Sequence, residues 1–448
     1  MKYIGPFLRI NTITKDNIKN QLFYFSKESI KSISLYSKCG ITSNPKELNT
    51  KKTVSPLLCI YKKANPKLKN EDGDFSLKEE SLKKDIVISA NGYMSLCLLE
   101  LSTYYFKFKD SDKSKYDYYY LYNNISKKQL SFYASYFRNE EGVFVDKKDI
   151  SDSLINEIKF ETKKKKFKFS DQAVMMNAYY KFSLENKGKI SEDFKNFSLD
   201  ILNMFITYRD DIYSLPFDDL IKFTLNLNIF YSYCKNDKTK FLLMDTCDYL
   251  KNSYEEKVNL FKESIEYKSM MFLNYYMLYK NCEILSYKEK AADLACDLLS
   301  IYDNEKGTLK KTSDKKEVEF TCSEIVLYTL SCYLYYSELA EKDENTLVLF
   351  DIYKRLFLDS YIILSWTDAP DTEDVERYRD FSKNAENLLE EENFKSSVFP
   401  SPYNSGLMPC FAKTVFYNKK KEIYSKGKNS FISETNMMLL FLLIYFCK

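Results

Sequence analysis

No histidine occurs among the 448 residues, so any chemistry falls to carboxylates, Lys, Tyr, Cys and Arg. Ser-His-Asp and Cys-His arrangements, HExxH zinc sites and imidazole proton shuttles are excluded. The carboxylates of interest recur in one local pattern: an apolar residue, a Ser or Thr, then a second apolar residue four positions after the hydroxyl. The copies are Ile88-Ser89…Tyr93, Phe169-Ser170…Val174, Phe320-Thr321…Ile325 and Ile432-Ser433…Met437. Within them lie Asp171, Gln172, Glu324 and Glu434, with Asn91 and Asn436. Two carboxylates flanking a cleft can hydrolyse a glycoside, one kept protonated as the acid and the other acting as base or nucleophile. Asp171 and Glu324 are the preferred pair. A helix dipole would keep Asp171 ionised as base or nucleophile. Asp146, between Val145 and Lys147 on a predicted hairpin, would be the acid if burial raises its pKa, and Glu434 is the fourth candidate. Glu140 and Glu141 would overhang them. Tyr93, Tyr179, Tyr180, Tyr328 and Gln172 are the candidate substrate contacts.

Each of these residues also has a plainer account. Acidic residues in a first turn are favoured by the helix dipole and the capping box, which Thr321-x-x-Glu324 spells out. The 39 Tyr and 33 Phe fit an AT-rich codon bias and helical cores better than a sugar cleft, and Trp366 is the only Trp.

The pattern that carries these residues reads as a helix start. The hydroxyl at Ser89, Ser170, Thr321 or Ser433 would accept from an orphan amide, and the flanking apolar pair would form a hydrophobic staple. Short β-rich runs (Ile86-Val87-Ile88, Phe167-Lys168-Phe169, Val318-Glu319-Phe320) feed these helices. Apolar periodicity predicts a helix from Thr14 to about Lys38, stapled by Ile13 and Ile18, and others over 89–108 and 116–138. Further helices are expected over 191–213, 217–234, 240–261, 267–281 (with a poor cap, Glu266), 288–302, 345–365, 372–392 and 433–448. Residues 40–85 and 393–432 read as irregular excursions, with a short strand at Leu57–Tyr61. A second recurring feature, Phe137-Arg138-Asn139-Glu140-Glu141-Gly142, matches Tyr302-Asp303-Asn304-Glu305-Lys306-Gly307. Both end a helix on an aromatic and close a turn at a Gly suited to positive φ. Asn404-Ser405-Gly406 is a looser copy.

Helix starts near 14, 89, 170, 266, 321 and 433, each followed by room for a partner helix, define six hairpins. This arrangement resembles the α/α toroid of six-hairpin glycosidases and terpenoid cyclase-like proteins. The resemblance implies one all-α domain over 1–448, an α/α toroid with short β-hairpin insertions. At least ten helices and little further β structure are expected. It also implies a ligand site at the end of the central cavity, where the first turns of the inner helices gather. An irregular α-solenoid or helical bundle is the alternative. The acidic motifs of terpenoid cyclases are only echoed in Asp371-Thr372-Glu373-Asp374.

Composition narrows the partners. A net charge of +3 is too balanced to require nucleic acid or an anionic membrane, and Lys163–Lys166 reads as a solvated loop. The eleven Cys are odd in number, scattered and free of CxxC, as expected of reduced thiols in a cytoplasmic protein. Cys410, in a Pro-flanked loop, looks the most exposed of them. No secretory leader is apparent at the first residues. The apolar run Met437–Cys447 is short of the roughly 20 residues a spanning helix needs, so a last helix buried on all sides is expected. Neither GxGxxG nor GxxxxGK[ST] occurs, and no cofactor or metal is expected. Two functions follow as alternatives: a carbohydrate-active enzyme, hydrolase or lyase, acting on an oligosaccharide, or a non-catalytic scaffold for a peptide or protein partner.

Overall fold

The computed structural model describes residues 15–43, 54–71, 74–151, 157–163, 166–256, 264–341, 346–367, 376 and 406–448. The helix expected over 372–392, the acidic run at 371–374, Ile13 and Asn404 lie outside them, Glu376 excepted. Among the described residues the chain is predominantly helical. Its α-helices are α1 (Lys15–Leu35), α2 (Ile88–Phe106), α3 (Lys113–Tyr136), α4 (Phe169–Glu185), α5 (Lys189–Thr207), α6 (Arg209–Ile212) and α7 (Phe217–Cys234). They continue with α8 (Asp237–Glu256), α9 (Ile265–Cys282), α10 (Leu285–Ile301), α11 (Cys322–Leu334), α12 (Leu347–Ile352) and α13 (Ser433–Cys447).

Six of these pack in cyclic succession: α2 on α4, α4 on α7, α7 on α9, α9 on α11, α11 on α13, and α13 back on α2. A second set lies against the first. There α3 packs on α2, α5 on α4, α8 on α7, α10 on α9, and α1 on α13, while α12 and its π-helical continuation (Tyr353–Leu358) pack on α11. The two sets differ in composition as their positions require. All thirteen residues of α11 are buried, whereas α5 buries only Ser191, Ser198, Ile201, Leu202 and Phe205 of its nineteen. Helix α13 takes up the apolar C-terminal run in the core, and no described helix is long and apolar enough to cross a membrane.

Membership of the first set corrects one expectation. The helix at Lys15 lies in the second set, and α7 takes its place. No Ser or Thr pattern marks the start of α7, which follows Pro216 directly and carries Asp218 and Asp219 in its first turn.

The all-α expectation also needs correcting, because the β structure exceeds hairpins. Strands β1 (Gly40–Thr42), β2 (Leu57–Ala64), β3 (Leu68–Glu71), β4 (Asp74–Leu77), β5 (Lys83–Ile86), β6 (Lys147–Asp149) and β7 (Phe160–Thr162) precede α4. Strands β8 (Tyr302–Asp303), β9 (Thr308–Leu309), β10 (Glu317–Thr321), β11 (Thr414–Asn418), β12 (Ile423–Lys426) and β13 (Phe431–Ile432) follow α10. An antiparallel sheet of six strands runs β1-β2-β5-β6-β7, with β13 also on β2. The excursion over 40–85 is therefore its centre: Leu57, Cys59 and Ile60 are fully buried, and β2 pairs with the extended lead-ins to α2 (Tyr61 opposite Ile86) and α13 (Ala64 opposite Phe431). Extended segments that arrive at one end of the packed helices carry unsatisfied amides, and pairing them satisfies those groups.

The Asn-Gly turns form as read, with φ of +86° at Gly142 and +60° at Gly307. The caps form differently. Thr321 makes the full capping box, its Oγ1 accepting from Glu324 N at 3.2 Å while Glu324 Oε2 accepts from Thr321 N at 2.8 Å. Helices α2, α4 and α13 begin instead after Val87, Lys168 and Ile432, and none has a side-chain cap of its own. Ser89 Oγ is buried without a partner among the described residues, and Ser433 Oγ donates to Lys62 O at 3.2 Å. Distant carboxylates serve the first two. Asp146 Oδ1 accepts from Ile88 N at 3.1 Å, and Asp219 accepts from the amides of Phe169 and Ser170. At α9 the cap is Ser264, which accepts from Tyr267 N, not Glu266.

Candidate active site

The first turns of α2, α4, α7, α9, α11 and α13 meet at one end of the helix succession, around a pocket of about 690 Å3. Its lining includes Ser89 of α2, Asp171 of α4, Asp218 and Asp219 of α7, Glu266 of α9, Ser323 of α11 and Glu434 of α13. Lys166 and Lys168, which lead into α4, and Lys222 of α7 complete a mixed-charge wall.

A repeated device holds these helix starts in place. Four residues after the N-cap of α2, α4 and α13 stands an amide side chain that grips a neighbouring backbone in both directions. Asn91 Oδ1 accepts from Ile60 N at 2.8 Å and its Nδ2 donates to Ile60 O. Gln172 does the same to Phe144, and Asn436 to Phe411. Each also donates to its own N-cap carbonyl, Val87, Lys168 or Ile432. A buried amide with its donor and acceptor both used ties a helix to the adjoining segment in a single register. In the pocket wall, Tyr93 Oη accepts from Asn226 Nδ2 at 2.9 Å, and Asn177 Nδ2 donates to Asn226 O at 2.9 Å.

Asp171 is 4% exposed and its carboxyl makes no hydrogen bond within the described residues. Burial pushes its pKa up to about 8, against the pull of Lys168 and with the help of the negative charges of Asp146, Glu434 and Asp219. It is therefore a protonated acid near neutrality, contrary to the expectation that the helix dipole keeps it ionised. Glu434 is better solvated, with a side chain 39% exposed and an oxygen 3.8 Å from Lys168 Nζ. Burial opposes the charge on Lys168, but Asp171, Glu434, Asp146 and Asp219 together raise its pKa. Burial also raises Glu266, with Lys222 opposing and Asp218 and Glu324 adding to it. Lys222 itself pairs with Asp218 at 2.9 Å.

Of the residues singled out in the sequence, Asp171, Glu434 and Tyr93 line the pocket. Asp146 stands near enough to act on Asp171 electrostatically, with one oxygen committed to the start of α2. Glu324 is occupied by its capping box and by Lys311 at 2.7 Å. Gln172 spends both amide atoms on Phe144. Tyr179 is fully buried and donates to Leu130 O at 2.7 Å, Tyr180 packs edge-on against Phe230, and Tyr328 is fully buried. Glu140 and Glu141 are exposed on the Asn-Gly turn. Cys410 is buried and its thiol pKa is pushed up by that burial, and the exposed thiol is Cys296. Asp218, Asp219, Lys222 and Asn226 were not singled out by sequence reasoning, and Lys168 and Glu266 were noted only as a lead-in residue and a poor cap, not as site residues. The available signal was Pro216 followed by two acidic residues, a helix start of the proline type.

Compared with protein-family models and with curated proteins, the chain matches none.

Proposed function

We propose that the two sets of helices constitute an α/α toroid and that the chain is a carbohydrate-active enzyme of the glycoside hydrolase type. The observation that carries this reading is Asp171: a buried carboxyl, protonated up to about pH 8, in the wall of the pocket where six helix starts meet. A general acid needs a pKa near the working pH and access to the leaving group, and Asp171 has the first and stands where substrate would provide the second. In the proposed reaction Asp171 donates its proton to the glycosidic oxygen. Glu434, the solvated carboxylate beside Lys168, deprotonates the attacking water or attacks the anomeric carbon, as its separation from Asp171 dictates. These roles reverse the order expected from sequence, which made Asp171 the base. Tyr93 is 3% exposed, packs on Phe441 and is anchored by Asn226, so it shapes the pocket wall rather than stacking on a sugar.

A second reading, a non-catalytic scaffold for a peptide or protein partner, draws on the burial of all four candidate tyrosines, Tyr93, Tyr179, Tyr180 and Tyr328, which leaves none of them exposed for stacking on a sugar. The two are separated by assaying release of reducing ends from neutral and uronate-containing oligosaccharides. The enzyme reading expects turnover that falls by roughly 10²- to 10⁴-fold in Asp171→Asn with the fold unchanged by circular dichroism. Absence of turnover on every sugar, or full activity in Asp171→Asn, leaves the scaffold.

A further inference from the structure

A second cavity, about 420 Å3, opens where the β8–β9 hairpin meets β10 and β11, a size within the range of about 300–1,000 Å3 usual for small-molecule sites. Its charge is one-sided. Lys306, Lys310, Lys311 and Lys419 line it against a single carboxylate, Asp303. Asp303 is already used in the turn, where its Oδ1 accepts from Lys306 N at 3.1 Å. Lys311 is paired with Glu324. Lys310 reaches only the carbonyl of Ser300 at 3.1 Å, and Lys419 only that of Ser313. Lys306, Lys310 and Lys419 thus have no carboxylate partner among the described residues. In the larger pocket, by contrast, Lys168 and Lys222 each have one.

The floor combines apolar Leu309 and Val318 with polar groups fixed by hydrogen bonds. Thr308 is buried and its hydroxyl bonds to Tyr424 Oη at 2.7 Å, while buried Tyr417 donates to Lys306 O at 2.8 Å and so fixes the turn that carries the lysine. Gly307 holds φ at +60°, a conformation that side-chain-bearing residues rarely adopt, so the turn favours glycine. Three uncompensated ammonium groups around a preformed concavity favour an anion with more than one negative group, because each lysine acts as a separate point charge.

We infer that this groove binds a small oligoanion, a sugar or polyol bearing phosphate or sulfate esters. The inference does not rest on the glycosidase reading.

Isothermal titration of the intact chain with inositol hexakisphosphate, sucrose octasulfate and unmodified sucrose tests it. One or both esters should bind, more weakly at high salt, and sucrose should not. Whichever ester binds more tightly identifies the source of the anion. Lys310→Ala/Lys419→Ala should weaken binding at least about ten-fold, with thermal unfolding of the free protein unchanged because both side chains are exposed. Lys310→Arg/Lys419→Arg should retain most of the affinity. A control pair on α8, Lys238→Ala/Lys240→Ala, should leave binding intact. The inference is overturned if neither ester binds, if the control pair weakens binding as much as the groove pair, or if an oligothymidylate binds equally through the same lysines.

Discussion

Asp219 in the first turn of α7 caps helix α4: its carboxylate accepts from Ser170 N at 3.2 Å and Phe169 N at 3.3 Å, and from the Ser170 hydroxyl. The helix that presents Asp171 is thus anchored by its neighbour rather than by its own serine. Asp219→Ala is expected to cost about 1–2 kcal/mol, the upper part of the range for a lost cap, by denaturant titration. Ser170→Ala keeps both amide bonds and should cost less. Equal costs would return the cap to the serine.

The same logic separates Thr321 from Ser89. Thr321→Ala breaks a complete capping box and should cost about 1 kcal/mol. Ser89 Oγ is buried without a partner among the described residues, so Ser89→Ala removes an unsatisfied group and should be neutral or slightly stabilising. A loss at Ser89 as large as at Thr321 would contradict this assignment.

For Asp171, the folded-state pKa of about 8 lies above the ordinary value of about 4. Between the two, the folded protein holds a proton that the unfolded chain has released, so this residue's contribution to stability falls as pH rises across that interval and is flat outside it. Asp171→Asn removes the slope and should exceed the wild type in stability above about pH 8, by on the order of a few kcal/mol. Parallel stability curves for the two proteins would show that Asp171 titrates normally. If Asp171 is the acid of a hydrolytic reaction, turnover declines over the upper part of the same interval.

At the other end of the helices, Glu100 is fully buried between Lys181, 3.4 Å away, and Lys448, and accepts from Tyr233 Oη at 2.6 Å. Burial works against its charge, but Lys448 and Lys181 hold the pKa below the ordinary carboxylate range. Its stabilisation is therefore present above the unfolded pKa of about 4.3 and is lost as pH falls through the lower folded value. Glu100→Gln leaves Lys448 without its carboxylate, while Lys181 keeps Glu185 at 3.0 Å, and should cost about 1–3 kcal/mol. Adding Lys448→Met should recover part of that loss, and a double variant no more stable than Glu100→Gln would deny the coupling.

What the sequence by itself determined is local. The apolar run Phe217–Cys234 predicts α7 to the residue, because a helix depends on groups three and four positions apart. The Asn-Gly turns are readable because Gly142 and Gly307 supply the positive φ. Thr321-x-x-Glu324 spells its own cap because both partners lie within one turn. The tertiary structure decided the rest. The start of α7 joins the cyclic succession while that of α1 does not, because packing depends on which faces meet. Asp219 caps a helix 49 residues away in sequence, which no local pattern announces. Asp171 looks like any acidic residue in a first turn, where the dipole favours its charge. Only the burial of its carboxyl, with Asp146, Glu434 and Asp219 brought close by other elements, reverses that preference, because the cost of removing a carboxylate from water outweighs the local field.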